Sequence, residues 1–453
     1  MIEPMSLKAL AQALDGHATA DASFSSVSTD SRAIRSGDLF VALTGPRFDG
    51  HDYIEQVAAK GATAVLVERE VDVADIPQLV VSDTRKALGQ LGSLNRQAYT
   101  GRLAAITGSS GKTTVKEMLA CILRCFGPVL ATRGNLNNEL GVPLTLLELS
   151  SAHCSAVVEL GASGLGEIAY TVSLAKPDVA VLNNAGTAHV GEFGGPENIV
   201  RAKGEIIDGL ADSGVAVLNR DDKAFRTWVA RASGRRVVSF GLDADADFRA
   251  TGLIRDARGC HGFMLESPAG NAFVQLNLLG AHNVCNALAA AAAAAALGVS
   301  IEHIVVGLEA LQPVKGRAVA RISDDGLRVI DDSYNANPAS VCAAADIVAG
   351  FEGRRILVLG DMGELGEWAR QSHADVGAYA KGRVDALYAV GPLMAHAVEA
   401  FGSDGHHFTD QAGLIAAIAQ EHRPNTTILI KGSRSAAMEN VVAALCGSAE
   451  EKH

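Results

Sequence analysis

The sequence has no excess of basic residues. Its 39 lysines and arginines against 51 aspartates and glutamates give the 453-residue chain a formal net charge of -12. Proteins that bind a nucleic-acid backbone need clustered basic side chains to displace counterions, so nucleic acid is not an expected partner. An acidic protein can still bind a nucleotide when backbone N–H groups and magnesium supply a local positive field. The charge balance therefore argues against polymeric phosphate and leaves nucleotides open.

Long hydrophobic runs are also missing. The longest apolar stretch, residues 287–297, is mostly alanine and is far shorter than the ~18 residues that a membrane-spanning helix needs. The opening MIEPMSLKAL lacks the basic segment and the apolar segment of a secretory signal. We therefore expect a cytoplasmic protein that does not insert into membranes.

Cysteines and aromatic residues are scarce. The seven cysteines are scattered from Cys121 to Cys446, and their odd number fits a reducing compartment better than a disulfide framework. Cys121 and Cys125 could form a redox or metal pair on a predicted helix. The favoured interpretation is that they are two small core residues on one helical face. Aromatic residues make up 5% and hydrophobic residues 48% of the chain, which is typical of an alanine-rich globular protein.

The pattern of strands predicts an α/β protein with three domains, within the range that roughly 100–200 residues per domain allows. Residues 1–101 mix short strands with an amphipathic helix and predict a small α/β domain. Residues 102–313 contain the apolar strands LAAIT, SAVVEL, DVAVLN and VAVLN, which predict a parallel sheet buried on both faces, with an antiparallel extension at residues 243–279. Residues 314–453 repeat a doubly wound pattern without G-x-G-x-x-G, which predicts a Rossmann-like domain that lacks a dinucleotide site.

The strongest motif is ITGSSGKTT, residues 106–114, which follows a strand and opens a helix. A Gly-rich turn at a helix N-terminus aims backbone N–H groups and the positive end of the helix dipole at a phosphate. We expect Lys112 to reach the terminal phosphates and the Thr113 hydroxyl to bind magnesium. The turn is shorter than the general G-x-x-x-x-G-K-[ST] pattern, but its context of strand, turn and helix predicts a nucleotide site. The predicted nucleotide-binding residues of this motif are Gly108, Ser109, Ser110, Gly111, Lys112, Thr113 and Thr114.

Three further residues narrow the chemistry. Glu159 ends a predicted strand, where ligands of open α/β sheets bind, so its carboxylate is expected to face the phosphate loop and bind magnesium; a solvated carboxylate is the alternative. His189 follows the strand DVAVLN, and Lys203 lies in the helical segment VRAKGEI. Taken singly, a hydrogen-bonded histidine and a solvated lysine are the simpler interpretations. However, a neutral amine beside a metal can add carbon dioxide, and a carbamate on Lys203 would support a second magnesium next to His189.

Together these motifs resemble the Mur ligases of peptidoglycan synthesis, and the resemblance covers all three predicted domains. The matching central segments are ITGSSGKTT, NLNNELG, VELGA, NNAGTAHVGEFG, RAKGEI and GAHNVCNALAA. The matching C-terminal segments are Gly316 with Arg317, DDSYNANP, GDMGELG and KGSRS. The last three, with the N-terminal TGPRFDGHDY, are similar to the members that join D-alanyl-D-alanine to UDP-N-acetylmuramoyl-tripeptide. A D-N-P-R run and a D-Y-x-H-x-P segment, which are associated with other members, are not found.

The resemblance implies an ATP-dependent amide ligase that works through an acyl-phosphate and a tetrahedral intermediate, with two Mg²⁺ ions and a carbamate on Lys203. The implied catalytic residues are Lys112, His189, Lys203 and Arg317, and the implied metal ligands are Thr113, Glu159, His189 and Lys203. Further ATP contacts are implied for Asn283 and Asn286 on the adenine side, for Arg317 at the γ-phosphate and for Asp332 at the ribose. Ser31, Arg32, Thr44 and Arg47 would line the pocket for the UDP part of the precursor, with Asn137 and Asn138 nearer its diphosphate and sugar. The dipeptide would contact Asn335, Asn337, Lys431, Ser433 and Arg434.

Because water would hydrolyse an acyl-phosphate, we predict that the domains close about a hinge near residues 312–316. We expect a monomer. The sequence leaves open whether the third residue of the acceptor tripeptide is lysine or diaminopimelate. The alternatives are another Mur-type or folylpolyglutamate-type ligase and, in a different class, a P-loop phosphotransferase or regulatory ATPase.

Overall fold

The structure is a computed structural model that describes residues 1–46, 48–72, 75–186, 190–242, 245–256, 259–313, 316–322, 327–421, 423 and 425–446. These residues form three α/β units that follow one another along the chain, each built around its own main sheet. The predicted α/β architecture, with a mostly parallel central sheet, is confirmed.

The N-terminal unit is a small sheet with helices packed against it. Its strands are β1 (Met5–Ser6), β2 (His17–Ala18), β3 (Ser23–Phe24), β4 (Ser26–Ser28), β5 (Asp38–Val41), β6 (Thr44–Gly45), β7 (Phe48–Asp49), β8 (Ala64–Val67) and β9 (Gln78–Val80). Its helices are α1 (Leu7–Ala13), a 3-10 helix (Gly50–Tyr53), α2 (Ile54–Ala59) and α3 (Thr84–Ala98). The main sheet has the order β2-β9-β8-β5-β4, and its last four strands are parallel. The loops that follow β4 and β5 therefore lie at one edge of the sheet.

The central unit contains the largest sheet. Its strands are β10 (Arg102–Thr107), β11 (Val129–Ala131), β12 (Ser155–Glu159), β13 (Val179–Leu182), β14 (Val215–Asn219), β15 (Arg236–Gly241), β16 (Phe248–Arg255), β17 (Cys260–Ser267) and β18 (Gly270–Leu279). Its helices are α4 (Lys112–Leu123), a 3-10 helix (Arg124–Phe126), α5 (Gly141–Leu147), α6 (Glu167–Ala175), α7 (Val190–Phe193), α8 (Pro196–Asp208), α9 (Phe225–Arg231), α10 (His282–Ala296) and α11 (Ile301–Ala310). The strand order is β11-β12-β10-β13-β14-β15-β16-β17-β18.

Strand β10 explains why this sheet is buried on both faces. Ala104 and Ile106 belong to the apolar core that α4, α10 and α11 cover, while Leu103 and Ala105 face the core on the opposite side. Side chains alternate along a strand, so a continuous apolar run suits a strand that has helices on both faces. The small alanines of α10 are buried against the same sheet. Strands β16, β17 and β18 pair antiparallel, which confirms the predicted extension.

The C-terminal unit is a six-stranded, mostly parallel sheet. Its strands are β19 (Val319–Ile322), β20 (Arg328–Asp332), β21 (Arg354–Gly360), β22 (Ala386–Val390), β23 (Gly405–Phe408) and β24 (Thr426–Lys431). Its helices are α12 (Pro338–Ala349), a 3-10 helix (Gly366–Trp368), α13 (Ala369–Ala380), α14 (Met394–Phe401), α15 (Gln411–Ala419), a 3-10 helix (Arg434–Ala436) and α16 (Glu439–Cys446). The order is β19-β20-β24-β21-β22-β23, and only β19 runs antiparallel to its neighbour.

The structure corrects one expectation about the cysteines. All seven are free thiols, and Cys125 is exposed rather than part of a core. The reason is that α4 ends at Leu123, so Cys125 lies in the following 3-10 turn and does not share a helical face with Cys121. Within the described ranges, no helix combines the length and the apolar character that crossing a bilayer requires.

Candidate active site

The phosphate-binding motif folds as the strand, turn and helix that its sequence predicts. Strand β10 ends at Thr107, and α4 begins at Lys112, immediately after Gly111. Gly111 has a φ of 78°, and a Cβ atom there would lie 2.4 Å from Asn286 Oδ1, so both backbone conformation and space favour glycine. The Lys112 ammonium donates to the Gly108 carbonyl at 2.8 Å. Burial lowers the pKa of Lys112, Glu159 opposes this shift, and Arg317 adds to it.

Two asparagines that the sequence analysis did not select hold this turn in place. Asn183 and Asn184 follow β13, which neighbours β10 in the sheet. Asn184 Oδ1 accepts the Ser110 backbone N–H at 2.9 Å, and the Ser109 N–H donates to the Asn184 carbonyl at 3.0 Å. The Asn183 amide donates to the Ser110 carbonyl at 3.0 Å. The signal for both was present in the sequence, since paired asparagines directly follow an apolar strand.

A chain of amides connects the phosphate loop to α10. Asn183 Nδ2 donates to Asn286 Oδ1 at 3.0 Å, and Asn286 Nδ2 donates to Asn283 Oδ1 at 2.9 Å. Asn283 Nδ2 in turn donates to the Leu279 carbonyl at 2.8 Å. The two residues predicted to contact adenine are therefore buried and oriented by hydrogen bonds that reach back to the phosphate loop.

Glu159 lies at the carboxyl end of β12, beside β10, as predicted. Its side chain is only 2% exposed. Asn137 Nδ2 donates to Oε1 at 2.9 Å, whereas the buried Oε2 has no hydrogen-bond partner. A buried carboxylate oxygen without a partner is costly, and an oxygen-seeking cation such as Mg²⁺ would satisfy it. Among the described residues, no three Asp, Glu, His or Cys side chains come together as a metal cage, so a cation here would keep water or substrate oxygens, as Mg²⁺ usually does.

Lys203 is a buried side chain of α8. It is 1% exposed, its ammonium donates to the Ala162 carbonyl at 3.3 Å, and the nitrogen lies 5.2 Å from the centre of the Phe193 ring. Burial lowers the pKa of Lys203 to about 7; Lys112 lowers it further, while Glu167 and Glu205 oppose the shift. The solvated-lysine interpretation is therefore wrong for this residue. The predicted partner His189 lies outside the described residues.

The C-terminal unit supplies the opposite wall. Asp332 Oδ2 accepts from the Lys431 ammonium at 2.6 Å, and Lys431 also donates to the Asn335 carbonyl at 2.8 Å. The Arg317 guanidinium lies 4.3 Å from the centre of the Tyr334 ring. Tyr334, which the sequence analysis did not select, therefore supports a cation that the resemblance assigns to the γ-phosphate.

Most of these residues line one cavity of about 660 Å³ between the central and C-terminal units. Its lining includes these predicted site residues: Ser109, Ser110, Gly111, Lys112, Thr113, Thr114, Asn137, Asn138, Glu159, Asn283, Asn286, Arg317, Asp332, Asn335, Asn337, Lys431 and Arg434. Lys203 does not line the cavity, but it contacts the carbonyl of Ala162, and Ala162 is a lining residue. Ser433 is buried beside the cavity, with its hydroxyl 3.1 Å from that of Ser435.

Two side chains of the predicted dipeptide site are already engaged. Asn337 caps α12, because its Oδ1 accepts the Ser340 backbone N–H at 2.9 Å. Arg434 pairs with Glu439 at 3.0 Å and lies 6.0 Å from the centre of the Tyr334 ring. Asn337 therefore has a structural role in addition to lining the cavity.

The residues predicted to bind the UDP part lie away from this cavity, on the N-terminal unit. Ser31 and Arg32 follow β4, and Thr44 follows β5, so they lie at the carboxyl edge of the small sheet. Arg32 pairs with Asp30 at 2.8 Å, and Thr44 Oγ1 lies 3.3 Å from Asp49 Oδ1. Arg47, the fourth predicted residue, lies outside the described residues.

Comparisons with known proteins cover nearly the whole chain. Three family models match: "Mur ligase family, catalytic domain" at residues 23–96, "Mur ligase middle domain" at residues 106–294 and "Mur ligase, glutamate ligase domain" at residues 316–434. The UDP-N-acetylmuramoyl-tripeptide--D-alanyl-D-alanine ligase of Escherichia coli is 45% identical over 430 residues, which are 94% of each chain. A crystal structure of MurF from Acinetobacter baumannii has 43% identity and a TM-score of 0.93, covering 98% of this chain and 99% of that one. MurF ligase from Thermotoga maritima in complex with ADP has 30% identity and a TM-score of 0.85, covering 92% and 96%.

Proposed function

This chain belongs to the Mur ligase family, and we propose that it joins D-alanyl-D-alanine to UDP-N-acetylmuramoyl-tripeptide, with ATP consumed, in peptidoglycan precursor synthesis. The observation that carries this proposal is the 45% identity, over 94% of each chain, to a ligase of this specificity. The structure adds that one cavity is lined by the phosphate loop, Glu159 and the strand ends of the C-terminal unit.

The chain's own side chains explain how the first step can occur. A carboxylate of the precursor and the γ-phosphate of ATP are both negative, so they repel each other. Lys112 and Arg317 line the cavity and offset this repulsion as charge develops, so catalysis is mainly positioning and electrostatic stabilisation. The carboxylate oxygen bonds to the γ-phosphorus and ADP leaves. The dipeptide amine then attacks the acyl-phosphate carbonyl, and the tetrahedral intermediate expels phosphate and loses the amine proton.

Magnesium fits the cavity on the evidence of Glu159. Its buried Oε2 lacks a hydrogen-bond partner, and Thr113 lines the same cavity, so the Glu159 carboxylate and the Thr113 hydroxyl would hold one Mg²⁺. His189 and a carbamylated Lys203 would hold the second. When bound, the ions neutralise phosphate charge and polarise the transferring group.

The carbamate on Lys203 is supported by the environment of its amine. Carbon dioxide adds only to a neutral amine, and burial holds the pKa of Lys203 at about 7, so a large neutral fraction exists near neutral pH. The product is an anion. Its charge would suit a metal beside the cavity, where the free ammonium would repel one.

The remaining predicted contacts assign the precursor, the nucleotide and the dipeptide to different sets of residues. The UDP-linked precursor would contact Ser31, Arg32, Thr44, Arg47, Asn137 and Asn138, and ATP would contact Asn283, Asn286 and Asp332. The dipeptide would contact Asn335, Asn337, Lys431, Ser433 and Arg434. We place the domain boundaries at residues 101/102 and 313/314, and infer a cytoplasmic monomer that closes about residues 312–316. Of these, residues 314 and 315 lie outside the described residues. Small-angle scattering that detects no compaction with an ATP analogue and precursor would contradict closure.

One assay tests the function. Phosphate release is measured with ATP and UDP-N-acetylmuramoyl-tripeptide, with and without D-alanyl-D-alanine, and the product mass is determined. Dependence on both co-substrates and a product with the dipeptide attached are expected. A regulatory ATPase would release phosphate without the amine, a phosphotransferase would yield a phosphorylated product, and a ligase of another specificity would require a different amino acid.

A further inference from the structure

Lys116 is a buried lysine that no step of the proposed reaction uses. It lies on α4, one helical turn after Lys112, and its side chain is 2% exposed. Its helix neighbours Val115 and Met118 are fully buried apolar residues. Burying an ammonium group costs free energy unless hydrogen bonds and an opposite charge compensate. An apolar residue would pack here at lower cost, so the partners of Lys116 indicate what it does.

Those partners lead to the proposed metal site. Lys116 Nζ donates to the Thr132 carbonyl at 2.7 Å and lies 2.8 Å from Glu117 Oε1. Thr132 follows β11, the edge strand next to β12, and is 1% exposed. Its hydroxyl accepts the backbone N–H of Glu159 at 2.9 Å. One short chain of hydrogen bonds therefore runs from the helix that begins at the phosphate loop to the backbone N–H of Glu159, the residue that ends β12 and carries the carboxylate.

This chain connects two parts that must keep a fixed separation. The phosphate loop and Lys112 set where the phosphates of ATP lie, and Glu159 sets where a cation can lie. Mg²⁺ demands nearly ideal octahedral geometry, so a small displacement of the carboxylate relative to the phosphates weakens its binding. Groups that orient metal ligands commonly change metal affinity when they are mutated.

We propose that Lys116 and Thr132 are positioning residues that hold the Glu159 carboxylate in register with the phosphate loop for the divalent cation that accompanies the nucleotide. This inference rests on the proposed function, and it concerns residues that the cavity does not expose. Lys116 acts on Thr132, and Thr132 acts on Glu159. Neither residue touches the nucleotide.

The test measures cation binding directly. Electron paramagnetic resonance gives the dissociation constant of Mn²⁺ in the presence of ADP for the parent protein and for Lys116→Met, Thr132→Val and Thr132→Ser. Thr145→Val is the matched control, because Thr145 is also a buried threonine of the central unit but its hydroxyl donates only to the Gly141 carbonyl, at 2.9 Å. Calorimetry with EDTA measures metal-free ADP binding, and thermal unfolding checks the fold.

We expect Lys116→Met and Thr132→Val to raise the Mn²⁺ dissociation constant roughly 10- to 100-fold while metal-free ADP binding stays unchanged. Thr132→Ser keeps the hydroxyl and should stay close to the parent, as should Thr145→Val. The Mg²⁺ concentration that half-saturates ligase activity should rise in parallel, which a merely structural defect would not cause.

The inference is overturned if the folded variants bind Mn²⁺ like the parent. It is also overturned if Thr145→Val weakens Mn²⁺ binding as much as Thr132→Val does. Should Lys116→Met fail to fold, the contrast between Thr132→Val and Thr132→Ser decides. If the parent protein itself binds no Mn²⁺ with ADP, the metal chemistry of the proposed function fails as well. If the parent binds Mn²⁺ with ADP and the variants bind it with the same affinity, only the positioning role is refuted.

Discussion

The Lys431 ammonium and the Asp332 carboxylate form an ion pair at 2.6 Å across two neighbouring strand ends. The two residues are register partners at the carboxyl ends of β24 and β20. The Lys431 side chain is 4% exposed and that of Asp332 16% exposed. The resemblance assigned them to different substrates, dipeptide and ribose, but each also determines where the other lies.

Lys431→Met should therefore destabilise the C-terminal unit. The substitution leaves the partly buried Asp332 carboxylate with the Ala318 backbone N–H but without its charged partner, and losing one partner of a buried ion pair costs about 3–5 kcal/mol. Urea unfolding monitored in this unit measures the loss. Lys381→Met, at an exposed lysine of the same unit, is the control and should unfold like the parent. A Lys431→Met protein as stable as the parent would mean that the pair contributes little.

Lys203→Ala should lower the ligation rate by roughly 100-fold or more, because the carbamate would support a metal ligand set. ATP binding should stay nearly intact, and short carboxylic acids such as acetate should restore part of the activity by replacing the carbamate. Steady-state kinetics and nucleotide titration measure these effects. Lys223→Ala, at an exposed lysine of the same unit, should behave like the parent. Full activity in Lys203→Ala would refute the carbamate.

Gly111→Ala should abolish tight nucleotide binding. The new Cβ would lie 2.4 Å from Asn286 Oδ1 and 2.5 Å from Asn183 Nδ2, so the phosphate loop must shift. Gly61→Ala is a matched control, since Gly61 has a φ of 91° but open space around its Cβ position. Both variants should lose about 1–2 kcal/mol of stability to the left-handed backbone. Only Gly111→Ala should weaken ADP binding in calorimetry; equal binding in the two variants would contradict this account of the loop.

Acidification should loosen the loop at residues 360–366. The fully buried His373 accepts the Met362 backbone N–H through Nε2 at 3.0 Å, and its Nδ1 lies 2.6 Å from the Ala369 carbonyl. Burial lowers the pKa of His373 below its usual value near 6.5. The unfolded state therefore binds a proton at His373 more readily than the folded state does. The stability that neutral His373 contributes is fully present above pH 6.5 and is lost as the pH falls through the lowered pKa.

Hydrogen exchange of the Met362 amide, corrected for its intrinsic rate, measures this effect. Its protection should fall between pH 7 and pH 5 by more than that of the amides of β24, which serve as the internal control. Equal changes in both places would attribute the effect to global unfolding rather than to His373.

The sequence by itself determined the features that are local along the chain. ITGSSGKTT predicted a strand end, a phosphate-binding turn and a helix start because all three lie within nine consecutive residues. A glycine-rich turn followed by lysine at a helix N-terminus is typical of phosphate binding. The apolar strands predicted a parallel sheet because an uninterrupted apolar run indicates a strand that is buried on both faces. The strand-end position of Glu159 and the amine of Lys203 predicted metal ligands, and family resemblance then added Arg317.

Only the tertiary structure decided which strand ends meet. Strand β10 lies between β12 and β13, so Glu159 comes to the phosphate loop from one side and Asn183 and Asn184 from the other. Strand order also joins Asp332 to Lys431, and it brings Thr132 from the edge strand to Glu159. Sequence periodicity reports how each strand is buried but not which strand becomes its neighbour, because that choice depends on how separate parts of the chain pack together.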